Sequence, residues 1–196
     1  MNLNIGASKS YLPGFVNIDA VPHSDLQLNL EVDDLPFDDN SVDVVFSYHT
    51  IEHIQNYLGL LAEIHRVLKP RGRLFIGVPY VTLTEYNLIN PYHRQHFNEF
   101  SFDFFDPKKL LGSAAEDGAI TFRKVFHRFH YMPEFELKSD RRKEWCRRHL
   151  FNVVRKIDFG LLALKDETDD VKVDEQMEAQ FVREFDEILR QRKRYR

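Results

Sequence analysis

A chain of 196 residues is long enough for one α/β domain with a full core and short for two ordinary domains. A hydrophobic content of 43%, a charged content of 30% and a formal charge of -4 indicate a globular protein without a general attraction to nucleic acid. The longest apolar runs have the length of strands, and the first residues show no secretory signal. The single cysteine, Cys146, excludes an internal disulfide and a cysteine-based zinc site. These totals predict a cytoplasmic protein with no membrane span.

The first half of the chain predicts strands that alternate with a helix. Short apolar segments predict strands at 3–5, 15–19 and 26–30, and continuous apolar runs predict buried strands at 42–48 and 74–79. Between the last two, apolar residues recur at helical spacing from Ile51 to Leu68, and Pro70 with Gly72 ends this helix. Such an alternation predicts an α/β fold with a parallel sheet and helices on its faces.

The second half is less regular. Residues 90–114 predict an aromatic-rich loop followed by a helix, residues 140–154 a helix, and residues 121–129 and 156–165 two strands. After a charged linker, an apolar stripe from Met177 to Leu189 predicts an amphipathic helix. We therefore divide the chain into a domain of residues 1–165 and a linker with a C-terminal helix, residues 166–196.

Residues 49–53, His-Thr-Ile-Glu-His, match H-x-x-E-H, the zinc-binding core of one class of metallopeptidase. Those enzymes need both histidines on a helix and a distant third ligand, whereas His49 ends a predicted strand before the helix begins. We therefore interpret Glu52 as a first-turn acid favoured by the helix dipole and His53 as a structural, hydrogen-bonded histidine. His93 and His96 also lack an identifiable third ligand, so the sequence predicts no metal site.

Small and polar residues stand at the ends of successive predicted strands. Gly6 ends the first, where a missing side chain gives a ligand access to the backbone. Asp19 ends the second, where a carboxylate can accept hydrogen bonds from the hydroxyls of a ribose. Ligands of open parallel sheets bind beyond the carboxyl ends of the strands, so these residues predict a nucleotide-type site.

Three segments, LNIGASKSYLPGFVNID, LPFDDNSVDVVFSYHTIEHI and AEIHRVLKPRGRLFIGVPY, occur in an order and spacing that resemble class I S-adenosylmethionine-dependent methyltransferases. The resemblance is to the methyltransferase-11-like branch with a short first crossover, and it covers about residues 3–80 and, more weakly, the strand at 156–165. It implies a Rossmann-like three-layer sandwich with a mostly parallel seven-stranded sheet, and S-adenosyl-L-methionine as cofactor. It also implies cofactor contacts from the strand ends: Gly6, Ala7, Ser8, Asp19, Asn29, Leu30, Ser47, Tyr48 and His49. Of these, Asn29 and Leu30 would flank the adenine, with Asn29 in a place where the family usually has Asp.

The chain departs from the family pattern in two places. Its glycine loop reads Gly-Ala-Ser-Lys-Ser from Gly6, with Ser8 at the second glycine position. Only twelve residues separate Gly6 from Asp19, too few for a crossover with the usual helix. We therefore predict a reduced or missing first helix, and an added C-terminal helix that covers the bare sheet face of this chain or of a partner. The second arrangement would make a homo-oligomer through the C-terminal helix.

The acceptor side is predicted after the fifth strand, where Tyr80, His93 and His96 follow. We predict His93 as the general base and His49 as the second choice, with the packing of a lid loop as the alternative role of both. By analogy with the family, the acceptor is an oxygen or nitrogen of a small-molecule or sugar-like compound.

Two alternatives remain: a non-catalytic binding or assembly module with the methyltransferase fold, and an RNA methyltransferase suggested by aromatic and basic segments at 127–149 and 190–196. The net acidic charge argues against a nucleic-acid partner.

Overall fold

Nine strands occur in the computed structural model, which describes residues 1–109, 120–166 and 170–194. In chain order they are β1 (Asn2–Ile5), β2 (Ser10–Tyr11), β3 (Val16–Asp19), β4 (Leu26–Gln27), β5 (Val42–Tyr48), β6 (Leu68–Pro79), β7 (Phe122–Tyr131), β8 (Val154–Ala163) and β9 (Lys193–Arg194). Seven of them form one sheet in the spatial order β4-β3-β1-β5-β6-β8-β7, while β2 and β9 form a separate pair.

The large sheet is mostly parallel, as the sequence predicts. β1 pairs in parallel with β3 and β5, β3 with β4, and β5 with β6. β8 runs antiparallel to both of its neighbours, β6 and β7. The chain builds outward from β1 to β4 on one side and then crosses to β5 on the other, so the strand order reverses between β1 and β5. This reversal opens a crevice at the carboxyl ends of these two strands.

The helices are α1 (Tyr57–Val67), α2 (Thr84–Asn87), α3 (Pro133–Glu136), α4 (Asp140–His149) and α5 (Glu175–Gln191). The predicted helix from Ile51 to Leu68 is divided, because Ile51–His53 forms a single 3-10 turn and the chain is extended at Ile54 before α1 begins. The helix predicted toward residue 114 falls in residues 110–119 and the predicted linker partly in 167–169, both outside the described residues.

Two apolar clusters occupy the two faces of the sheet. On one face α1 buries its apolar stripe, Leu60, Leu61, Ile64 and Val67, against the strands. On the other face α5 buries Phe181, Phe185 and Ile188 against side chains of β5, β6, β7 and β8. The three-layer arrangement and the added C-terminal helix are thus confirmed, and no helix lies between Gly6 and Asp19. α5 thus covers the sheet face of its own chain, the first of the two predicted arrangements, and the homo-oligomer stays a prediction.

The end of the chain returns to the loop that follows β1. β9 pairs antiparallel with β2, with Ser10 opposite Arg194 and Tyr11 opposite Lys193. The sequence does not predict this pairing, since two-residue strands give no periodic signal. In the part of the chain described here, no helix combines the length and the apolar character needed to cross a bilayer.

Candidate functional site

A cleft of about 310 Å³ lies beyond the carboxyl ends of β1 and β3. Six residues predicted from the sequence to contact a cofactor line it together: Gly6, Ser8, Asp19, Asn29, Leu30 and His49. Their meeting follows from the parallel register, because the strands of such a sheet end at one rim. We call this cavity the cofactor cleft.

Backbone amides of the loop after β1 form hydrogen bonds to the end of β3. The amides of Gly6 and Ala7 donate to the carbonyl oxygen of Ile18 at 2.8 and 3.1 Å, and the amide of Ser8 donates to Oδ2 of Asp19 at 2.8 Å. Gly6 and Ser8 both have positive φ values, 71° and 48°. The bond to Ser8 positions the Asp19 carboxylate at the cleft wall, and its Oδ1 remains for a ligand hydroxyl.

The prediction that Gly6 lacks a side chain so that a ligand can approach its backbone needs a correction. A Cβ atom at Gly6 would lie 1.9 Å from Oγ1 of Thr50, so the space beside this glycine is filled by Thr50 and not by a ligand. Thr50 is nearly buried, and its hydroxyl lies 3.4 Å from the carbonyl oxygen of Gly6. Gly6 therefore allows the turn after β5 to pack against the turn after β1, and Gly6 and Thr50 both line the cofactor cleft.

The predicted adenine-side residues lie in a turn that stabilises itself. The amide of Asn29 donates to Oδ2 of Asp33 at 2.7 Å, and Oδ1 of Asn29 accepts from the amide of Glu31 at 3.1 Å. The Glu31 carboxylate in turn accepts from the amides of Gln55 and Asn56 at 2.8 and 3.1 Å. One lone pair of the Asn29 oxygen is therefore used inside the turn, and its second remains for a ligand.

Three predicted cofactor residues do not line the cofactor cleft. Ala7 is fully buried, and Ser47 is buried with no hydrogen-bond partner for its Oγ among the described groups. Tyr48 lines a neighbouring cavity of about 360 Å³ together with Gly6, Ser8, Lys9, Ser10, His49 and Arg192. This cavity shares Gly6, Ser8 and His49 with the cofactor cleft and therefore adjoins it.

A third cavity, the acceptor cleft, measures about 550 Å³. It is lined by Tyr48, His49, Glu52, His53, Pro79, Leu83, Tyr86, Asn90, His93, Arg155 and Lys156. His49 and His53 line both the cofactor cleft and the acceptor cleft, so a group bound in one can reach the other. The two histidines proposed as bases from the sequence, His93 and His49, both face this space.

Arg155 and Lys156 are site residues that the sequence reasoning missed. They stand at the start of β8, where Lys156 lies opposite Pro79 at the end of β6. Since β8 runs against its neighbours, its first residues share the rim that the parallel strands reach with their last ones. The strand predicted at 156–165 was a usable signal, because its first residue, Lys156, lies at this rim.

Glu52, predicted as a first-turn acid, lies in the 3-10 turn of Ile51–His53 and is buried. Its side chain is 1% exposed, and Oε1 lies 3.2 Å from Nδ1 of His49. Its carbonyl oxygen accepts from the amides of Arg94 and Gln95 at 2.7 and 3.0 Å. These bonds anchor residues 90–97, the lid segment, to the 3-10 turn. His49 has a φ of 56°, uncommon for a non-glycine residue, and its amide donates to Gly77. A buried carboxylate beside a half-exposed imidazole can orient the ring.

The other histidines after the fifth strand differ in environment. Nδ1 of His93 lies 3.1 Å from Oδ1 of Asn87. Burial, followed by the neighbouring His53, lowers the pKa of His93 below that of an ordinary histidine, which leaves the ring neutral at pH 7. His96 is exposed and does not line the acceptor cleft. Tyr80 is buried and donates to Glu99 at 2.8 Å, and burial raises its pKa to about 12, so it is a structural residue.

The sheet order and the position of the cofactor cleft, where the strand order reverses, are those of the fold of S-adenosylmethionine-dependent methyltransferases, and the acceptor cleft lies beside the cofactor cleft. The profile of the methyltransferase-11 family, described as a methyltransferase domain, matches residues 17–76. The match supports the resemblance to the methyltransferase-11-like branch over these residues.

Comparison with solved structures gives the same fold. An S-adenosylmethionine-dependent methyltransferase from Archaeoglobus fulgidus superposes with a TM-score of 0.56 and 16% identity, over 82% of this chain and 85% of that chain. The YcgJ protein from Bacillus subtilis superposes with a TM-score of 0.54 and 13% identity, over 84% of this chain and 92% of that chain.

Similarity in sequence to curated relatives covers part of the chain. A sterol 24-C-methyltransferase from Pneumocystis carinii is 38% identical over 61 residues, which are 31% of this chain and 16% of that protein. The matched segments span from 16% to 39% of the length of the curated relatives.

Proposed function

We propose that the protein transfers a methyl group from S-adenosylmethionine to an oxygen or nitrogen of a small-molecule or sugar-like acceptor. The observation that supports this most directly is the position of His49. This residue lines both the cofactor cleft and the acceptor cleft, and its ring pairs with the buried Glu52. A proton acceptor at the junction of two clefts is what transfer between two bound molecules requires.

The residues of the cofactor cleft fit an adenosyl group. Asp19 offers Oδ1 to the ribose hydroxyls, while its Oδ2 is held by the amide of Ser8. Leu30 supplies an apolar wall beside Asn29, whose oxygen can accept from an exocyclic amino group. When bound, S-adenosylmethionine supplies a methyl group activated by a positively charged sulfur. The Asp19 carboxylate also adds a negative charge to the cleft that binds this cation.

Methyl transfer needs a base only when the acceptor has a proton to lose. The acceptor's lone pair forms the bond to the methyl carbon, the bond from that carbon to sulfur breaks, and its electron pair stays on sulfur. With Nδ1 of His49 donating to Oε1 of Glu52, Nε2 is the atom that can take the acceptor's proton. We therefore assign the base to His49 ahead of His93, because only His49 of the two also lines the cofactor cleft.

The lining of the acceptor cleft supports a polar acceptor of modest size. Tyr86, 52% exposed, and Leu83 offer apolar surface against which a sugar ring can lie. Asn90 and Arg155 offer hydrogen-bond donors on the same wall, a combination typical of small-molecule sites.

Calorimetry with S-adenosylmethionine and S-adenosylhomocysteine tests the cofactor part of the proposal. We expect binding by the native protein, and a loss of at least about tenfold in affinity in Asp19→Ala, since an ionised hydrogen-bond acceptor is worth about 1.5–3 kcal/mol. Asp38→Ala, an exposed aspartate outside the cleft, serves as the control. No binding at millimolar cofactor would favour the non-catalytic module, for which the serine in the glycine loop is the motivating observation.

Transfer of a labelled methyl group to a panel of sugars and small hydroxyl or amine compounds tests the chemistry. In His49→Gln we expect the rate to fall by about 10²–10⁴, the usual contribution of a general base, with unchanged affinity for S-adenosylhomocysteine. A rate in His49→Gln equal to that of the native protein would overturn the role of His49.

A further inference from the structure

Glu52, His53 and His93 meet in the floor of the acceptor cleft, to which both the 3-10 turn and the lid segment contribute. One ligand atom from each of the three side chains lies within 4.8 Å of the others. Tetrahedral bonds of about 2.0–2.1 Å place ligand atoms about 3.4 Å apart. Side-chain rotations that bring the ligand atoms closer by roughly 1 Å would therefore complete such a site. The rings of His53 and His93 stand nearly perpendicular, with centroids 4.7 Å apart.

The hydrogen bonds of the two histidines determine which nitrogen can bind a ligand. Nδ1 of His53 lies 3.2 Å from the carbonyl oxygen of Tyr92, and Nδ1 of His93 lies 3.1 Å from Oδ1 of Asn87. The Asn87 amide is oriented by the donation of its Nδ2 to the carbonyl oxygen of Tyr80. Both partners are therefore acceptors, so each Nδ1 holds the hydrogen and each Nε2 presents a lone pair. Histidines that bind metal ions usually have this outer hydrogen bond.

Glu52 provides the second, independent observation. It is 1% exposed, and its Oε1 is occupied by His49, but its Oε2 is buried with no hydrogen-bond partner among the described groups. A buried carboxylate oxygen without a partner is costly and rare, and a bound ion is one of the few explanations for it.

We propose that Glu52, His53 and His93 bind a divalent transition-metal ion, with zinc as the closest match to two imidazoles and one carboxylate. Three protein ligands leave a coordination position open toward the acceptor cleft, as in zinc sites that bind a substrate or water. The site uses two residues of the H-x-x-E-H match but not its first histidine, because His49 contacts Glu52 through Oε1. It also replaces the sequence-based prediction of no metal site and gives His93 the role of a ligand.

The use of the ion rests on the proposed methyl transfer. A cation at this position would polarise an acceptor hydroxyl, so that the proton leaves more easily to His49. The binding of the ion itself does not depend on that function, and it can be measured without cofactor or acceptor.

Titration of chelator-treated protein with Zn²⁺ by calorimetry, and with Co²⁺ by visible absorption, tests the site. We expect one ion per chain, and at least a 100-fold loss of affinity in His93→Gln and in Glu52→Gln. His96→Gln is the control, since His96 is exposed and outside the acceptor cleft. Equal Zn²⁺ affinity in the native protein and in both ligand variants would overturn the proposal, as would the absence of binding by the native protein.

Binding of S-adenosylhomocysteine to the same preparations separates the two proposals and confirms that the variants are folded. Stoichiometric zinc without cofactor binding would support the metal site and contradict the methyltransferase. Cofactor binding with no site-specific zinc would leave the methyltransferase in place and overturn the metal site.

Discussion

Gly6 and Gly14 have similar backbones but different surroundings. Their φ values are 71° and 79°, in the left-handed region that costs about 1–2 kcal/mol for a residue with a Cβ atom. A Cβ at Gly6 would overlap Thr50, whereas no atom lies within 4 Å of a Cβ at Gly14. Substitution of these two glycines therefore separates the backbone contribution to the loss of stability from the steric contribution.

We expect Gly6→Ala to lower the free energy of unfolding by about 2–5 kcal/mol, because backbone strain and overpacking against Thr50 add up. Gly14→Ala should cost about 1–2 kcal/mol, the backbone part alone. Urea unfolding of both variants measures the difference. Equal destabilisation would show that Thr50 yields without cost and that the close approach does not explain Gly6.

Asp158 lies at the centre of a buried charged group. Its carboxylate is fully buried and bonds to Nζ of Lys156 at 2.8 Å, to Arg128 at 3.0 Å and to Nε2 of His130. Burial favours its neutral form, but the bond from His130 and the charge of Lys156 outweigh burial and hold the pKa of Asp158 below its usual value.

A carboxyl group whose pKa is lower in the folded than in the unfolded state stabilises the fold above the unfolded pKa, about 3.9, and loses that contribution as the pH falls through the folded pKa. We expect Asp158→Asn to cost about 3–5 kcal/mol at pH 7, since it leaves buried cations without their partner. The difference in the free energy of unfolding between Asp158→Asn and the native protein should become smaller below about pH 4. Thermal unfolding from pH 7 to pH 3 measures it, with the exposed Asp38→Asn as control; a gap that stays constant with pH contradicts the assignment.

At the scale of elements, strand limits are predicted best where apolar residues follow one another without interruption. β5 was predicted with its observed limits because a strand buried on both faces needs a continuous apolar run. β6 begins six residues earlier than predicted, at Leu68, which pairs with Val42 of β5 before the register shifts and pairing resumes at Arg73. β4 is shorter than predicted because the turn of Asn29 and Asp33 takes over the backbone bonds after Gln27.

The same contrast holds for the site. Residues at strand ends, such as Gly6 and Asp19, could be predicted to meet because topology alone brings them together. The burial of Glu52 could not, since it depends on Arg94 and Gln95, about forty positions further along the chain. Contacts at such a separation leave no local pattern in the sequence.

Helix α5 covers one face of the sheet over β5 to β8. Phe185 is fully buried and contacts the rings of Phe46, Phe75 and Phe126 on three strands. We expect Phe185→Ala to cost about 3–5 kcal/mol by creating a cavity between the helix and the sheet. Gln180→Ala, an exposed position on the same helix, should change stability by less than about 0.5 kcal/mol. Denaturant unfolding compares the two; a small effect of Phe185→Ala would mean that α5 is not part of the core.

At the scale of the whole molecule, the loop after β1 is held by the C-terminal segment of the chain. β9 pairs with β2 inside this loop, and the guanidinium of Arg192 lies 5.0 Å from the centre of the Tyr48 ring. Arg192 and Ser10 also line the same cavity beside the cofactor cleft. The last described residues thus belong to the wall of the site, although they are about 180 positions away from the loop.

Removal of residues 192–196 tests whether this contact serves the site or the fold. We expect little change in the unfolding temperature, because the deletion leaves α5 and its buried aromatic residues in place. Affinity for S-adenosylhomocysteine should fall by about five- to thirtyfold, the equivalent of roughly 1–2 kcal/mol for a loop that must be ordered without its antiparallel partner. Lys193→Ala keeps the backbone of β9 and should bind like the native protein. If the truncated protein binds as tightly as Lys193→Ala, the return of the chain end is a packing feature alone; if instead it unfolds, β9 belongs to the core and not to the site.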